Sequence, residues 1–180
     1  MTALEKLYGL LDAISHHLGR AVSWIAVAMV LLQFAIVLMR YIFGQTSILM
    51  QESVVYLHSI LFLLGASYTL LHEGHVRVDI FYRDASERAK ALVDFLGAVL
   101  FLIPVCVLLW WWSWPYVEQS WAVHEGSKET SGIQVLYLLK STILAFAGLM
   151  GLQGLSMALR TLLVLTGHHE PHAREDGAQV

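Results

Sequence analysis

Four long apolar blocks constrain this chain more than any other feature. Each approaches the ~20 residues that a helix needs to cross ~30 Å of hydrocarbon. They begin near Trp24, Ile48, Ala91 and Ile133, and polar segments separate them. The chain is 57% hydrophobic and 14% charged, against roughly 25% charged in ordinary soluble domains. The expected fold class is all-α integral membrane: four transmembrane helices with an N-terminal amphipathic interfacial helix. A net charge of −3, without basic or acidic runs, gives no sign of nucleic acid. The single cysteine, Cys106, lies inside the third block, which excludes an internal disulfide and argues against a cysteine-based metal cluster. The N-terminus lacks the pattern of a cleavable signal.

Residues 3 to 19 place Leu4, Leu7, Leu11, Ile14 and Leu18 at helical spacing, with Glu5, Lys6, Asp12, Ser15 and His16 largely opposite. This pattern predicts an amphipathic helix lying in the membrane interface. Spans are expected at about 24–43, 48–71, 91–112 and 136–160, all within one membrane domain of residues 1–165. Residues 166–180 form a polar tail expected to be disordered. Asp84–Glu87, "DASE", reads as a capping box opening the third span. Pro104 lies inside that span, where membrane helices tolerate proline as a kink. Trp110, Trp111, Trp112, Trp114 and Trp121 read as an interfacial aromatic belt. Eight basic residues fall in the N-terminal, middle-loop and C-terminal segments; Arg40, Lys128 and Lys140 fall on the other side. The positive-inside rule places both termini in the cytoplasm.

The spans hold few groups able to carry a proton or an ion. Glu52 starts the second span near Arg40 at the end of the first, which predicts a structural ion pair. Gln33 and Gln153 are expected to hydrogen-bond between helices. His58 has no companion histidine at similar depth in the other spans, which argues against a haem. His72 and His75 supply at most two ligands, too few for zinc, and Gly74 between them suggests a helix end. Ala147, Gly151, Gly154 and Ala158 form a small-residue stripe, for packing within the chain or docking onto another membrane protein.

The stretch "GHVRVDIF" after the second span, together with Glu52 at its start, resembles the small membrane subunit of tripartite ATP-independent periplasmic (TRAP) transporters, the DctQ-like family. "KETSGIQVLYLLKSTILAFAGLMGLQGL" adds to the likeness, and "LLK" followed by "LQG" resembles its mannitol/chloroaromatic branch. The likeness covers most of residues 20 to 165. One departure is the absence of a proline in "SGIQVLYLLK". The resemblance implies a subunit of the bacterial inner membrane that braces a large transport (M-type) subunit. It also implies help in docking a periplasmic substrate-binding (P-type) protein, for sodium-driven uptake of an organic acid. Glu52, Gly74, His75, Arg77 and Asp79 carry the motif as structural residues. No catalytic, substrate-binding or metal residue, no cofactor and no enzymatic activity are expected.

Two other classes compete. A small proton-coupled exporter would need Glu52 deep in the bilayer, and a membrane enzyme would need metal at His72 and His75.

Overall fold

The structure is a computed structural model and describes residues 3–76 and 85–167. The described residues form five α-helices: α1 (Ala3–Ile42), α2 (Ile48–Leu71), α3 (Glu87–Gly97), α4 (Ile103–Ala122) and α5 (Leu136–Leu165). A π-helical turn, Ala98–Leu102, joins α3 to α4. Among the described residues, four helical units are long and apolar enough to cross a membrane: Leu4–Ile42, Ile48–Leu71, Glu87–Ala122 and Leu136–Leu165.

The interfacial segment is not a separate helix. It runs without a break into the first span. The reason lies in one stripe: Leu11, Ser15, Gly19 and Val22 are all buried, at steps of three and four that keep to one helix face. That face continues past the boundary between polar and apolar sequence, so the chain has no cause to turn. Gly19 marks the closest approach, because a Cβ there would collide with the Tyr68 ring of α2. At the N-terminal end, Ser156 and Gln153 of α5 both donate to Asp12, at 2.6 and 2.9 Å. These bonds hold the amphipathic segment against α5.

The third span starts and ends differently from expectation. Its N-cap is Ser86, whose hydroxyl accepts from the Ala89 N–H at 3.3 Å; Glu87 is the first helical residue and pairs with Lys90. The helix then continues to Ala122, well past Trp112. Pro104 produces the expected irregularity as a π-turn immediately before it, where Ile103 N–H reaches back to Ala98 O. Widening one turn is a common way for a helix to absorb such a defect.

The helices end in left-handed residues. Gly44 (φ 64°) follows α1 and Gly167 (φ 74°) follows α5. After α2 the left-handed residue is Glu73 (φ 53°), not Gly74. Gly74 N–H bonds Thr69 O and Glu73 N–H bonds Leu70 O, which is the Schellman pattern. His124 (φ 47°) closes α4 in the same way.

α5 occupies the centre. It touches α1, α2, α3 and α4, and α1 pairs with α2, while α3 and α4 touch neither α1 nor α2. The spans therefore make an open row about α5 and do not close around a lumen. Most large apolar side chains of α1 and α4 are consequently exposed, including Phe34, Leu31, Val107 and Trp111.

Candidate functional site

The polar chemistry concentrates at the two ends of the bundle. At one end, the loop between α4 and α5 is built on Glu52. One carboxylate oxygen accepts from the Ile133 N–H at 2.6 Å, and the other accepts from the Ser127 hydroxyl. Ser127 N–H also donates to Ile133 O, and Gly132 N–H to Glu129 O. A Cβ on Gly132 would stand 2.3 Å from Ser127 Oγ and 2.6 Å from the Glu52 carboxylate, so a side chain there would press on the two bonded groups. This arrangement corrects the expected Glu52–Arg40 pair: Arg40 is exposed and has no ionic partner among the described residues. The backbone N–H and hydroxyl donors satisfy the carboxylate without a second charge. They also shape the approach to α5, which starts at Leu136 with no side-chain cap.

A second knot lies beside the first. Glu125 pairs with Lys140 and accepts from Ser120 Oγ at 2.7 Å. Lys140 also stands 4.1 Å from the centre of the Tyr116 ring. The Lys140 hydrogen bond, then that from Ser120, holds the Glu125 carboxyl below its ordinary range. Trp121 Nε1 donates to Ser141 Oγ at 2.8 Å and its ring meets Tyr137 edge-on. Trp110 stacks with Trp114 and lies over Gly148; Trp111 and Trp112 are the most exposed of the group. Trp110 and Trp121 are about 16 Å apart along one helix, so the tryptophans do not share a single depth.

At the opposite end, His72 and His75 diverge. His72 Nε2 is 3.4 Å from His16 Nδ1, and its ring lies over Tyr68. His75 instead lines a groove of about 480 Å³ with Gly19, Arg20 and Tyr68. The Schellman turn separates them, since it bends the chain between the two positions. Among the described residues, no three His, Cys, Asp or Glu side chains gather as a metal site would need. Arg77 and Asp79 lie outside the described residues, as does the tail beyond Gly167.

The small-residue stripe faces inward. Ala147, Gly154 and Ala158 are buried and Gly151 is half-buried. A Cβ on Gly154 would meet Leu102 at 2.9 Å, and one on Gly151 would meet Cys106 at 3.5 Å. The stripe is thus the seat of the third span. Gln153 bonds across helices as expected. Gln33 does not: it is exposed and makes no hydrogen bond among the described residues. Sequence reasoning missed Ser127, Gly132, Asp12, Ser156 and Gly19. The one readable signal was Gly19, in register with Leu11, Ser15 and Val22.

The family described as "Tripartite ATP-independent periplasmic transporters, DctQ component" matches residues 29–164. The "C4-dicarboxylate TRAP transporter small permease protein DctQ" of Vibrio cholerae serotype O1 (strain ATCC 39315 / El Tor Inaba N16961) is 33% identical over 99 residues. That alignment takes in 52% of this chain and 42% of the relative, so less than half of the relative's length is spanned. The likeness holds for the family and leaves its branches undivided. No solved structure matches the chain. Four membrane-length helices and a family match over most of the chain lead to one conclusion: this chain belongs to the DctQ component family of the TRAP transporters.

Proposed function

We propose that this chain is the small, non-enzymatic subunit of a TRAP transporter of the bacterial inner membrane, bracing a large membrane subunit and helping a periplasmic binding protein to dock. The transporter would drive uptake of an organic acid with a sodium gradient; the name of the Vibrio relative makes C4-dicarboxylates the first acids to test. The observation that carries this reading is the open row of helices about α5. Such a row has broad apolar faces to offer a partner and no enclosed path for a solute. Glu52 supports it too, since its carboxylate is committed to two loop donors. The basic residues favour both termini in the cytoplasm. In that orientation, the loops at 43–47 and 123–135 face the periplasm and the binding protein.

The test is reconstitution. Co-expressed with its large subunit, the chain should co-purify in fixed stoichiometry. Liposomes holding both subunits and supplied with the binding protein should take up the acid with sodium, and liposomes holding this chain alone should not. Cation-driven uptake by this chain alone would overturn the proposal.

A further inference from the structure

The apolar face formed by α1 and α2 carries two polar side chains, Gln33 and His58, where a lipid-facing surface should have none. Gln33 lies seven residues inward of Arg40, and His58 lies six residues inward of Glu52. Both distances come to about 10 Å along their helices. The two side chains therefore share one depth, well inside a ~30 Å hydrocarbon layer. Both are exposed, and both line one shallow groove of about 350 Å³ with Met29, Val30 and Val54. Neither makes a hydrogen bond among the described residues; the His58 ring meets only Phe62, at 6.0 Å between centroids.

A carboxamide and an imidazole at this depth have no water to bond. Acyl chains offer neither donor nor acceptor, and a lipid headgroup does not reach so far. Polar side chains within membrane spans face protein or a water-filled cavity. The open row of helices supplies no cavity of that kind here. A partner helix is what remains, and it must bring hydrogen-bonding groups of its own to the same depth.

We infer that the Gln33/His58 groove is the seat of a transmembrane helix of the large transporter subunit, one presenting a hydroxyl or carboxamide side chain to these two residues. The inference rests on the subunit role proposed above and adds which face is used. The groove's flexible Met29 and small Val30 and Val54 leave room for a helix to seat closely. The α4 side, with Val107 and Trp111, shows no comparable polar pair and suits lipid.

A photo-crosslinker placed in turn at Val30, Val54 and, as control, Val107 of the co-expressed complex reads the geometry directly. Adducts to the large subunit from 30 and 54, with none from 107, are expected. The Gln33→Leu, His58→Leu double variant should reduce large subunit recovered with this chain at least fivefold. His58→Gln, which keeps a hydrogen-bonding side chain, should recover most of it. Adducts to a second copy of this chain, adducts only from 107, or wild-type recovery with the double leucine variant would each overturn the inference while leaving the subunit role intact. Failure of the wild-type chain to co-purify with any large subunit would instead overturn the role, and the inference with it.

Discussion

The carboxylate of Glu52 accepts the backbone N–H of Ile133 at 2.6 Å across 81 positions of sequence. The bond joins the first turns of α2 to the residues that lead into α5. Glu52→Gln keeps one acceptor oxygen but turns an NH2 group toward a second donor, so the loop should loosen. The expected result is a lower melting temperature in detergent and weaker assembly. The pH dependence of the remaining transport should stay as in wild type. Arg40→Gln should shift stability by no more than about 0.5 kcal/mol, as for an unengaged surface residue. A larger effect of Arg40→Gln than of Glu52→Gln would restore the ion pair expected from sequence.

Gly132 packs against that same carboxylate and the Ser127 hydroxyl. Gly132→Ala places a methyl 2.6 Å from Glu52, and overpacking of this kind typically costs about 1–3 kcal/mol. Gly9, inside α1, is the opposite case, because a Cβ added there would have nothing within 4 Å. Gly9→Ala should therefore stabilise by about 0.5–1 kcal/mol through helix propensity. Thermal unfolding of the two variants should move in opposite directions.

The turn after α2 makes a second contrast. A non-glycine residue in the left-handed region carries about 1–2 kcal/mol of strain, and here that residue is Glu73. Glu73→Gly should be tolerated or mildly stabilising, and Glu73→Val should destabilise. Gly74→Ala should be mild, because its Cβ would meet only the Thr69 methyl at 3.0 Å among close contacts. If Gly74→Ala were the more damaging change, the assignment of the left-handed position would be wrong.

Asp12 ties the start of α1 to α5. Asp12→Ala strands the buried Gln153 amide, at about 1–3 kcal/mol for a buried group left unmatched, while the Ser156 hydroxyl keeps the Tyr8 carbonyl as its acceptor at 3.3 Å. Limited proteolysis should then cut within residues 3–15 sooner than in wild type. Unchanged cleavage would mean that the segment holds without those bonds.

Acid should loosen the second knot. The Glu125 carboxyl is held below its ordinary value of 4.5 by Lys140 and Ser120. A depressed folded-state value means that the contribution is present above pH 4.5 and is lost as pH falls through the lowered value. Melting temperature measured from pH 7 downward should therefore drop below about pH 4.5 more steeply in wild type than in Glu125→Gln. Parallel curves would show that the pair contributes nothing to folding.

The number of membrane-length helices among the described residues was legible in the sequence by itself. Hydrocarbon demands long uninterrupted apolar helices, and that demand is written locally, residue by residue. The small-residue stripe at Ala147, Gly151, Gly154 and Ala158 was legible for the same reason, since helical spacing alone puts those positions on one face. Only the tertiary structure decided what each polar group bonds. Glu52 could be seen to need donors, yet a charge such as Arg40 and a backbone N–H such as that of Ile133 satisfy the need equally well on paper. Which one arrives depends on how α2 and α5 cross. The continuity of α1 was hidden in the same way: residues 3–19 read as a separate helix alone, and run on into the helix of the first span once Asp12 meets Ser156 and Gln153. Gln33 gives the converse case. Its amide was expected to find a neighbouring helix, and packing within the chain left it outside. Hydropathy and periodicity are properties of neighbours along the chain, whereas hydrogen-bond partners belong to distant segments that only the packed helices bring together.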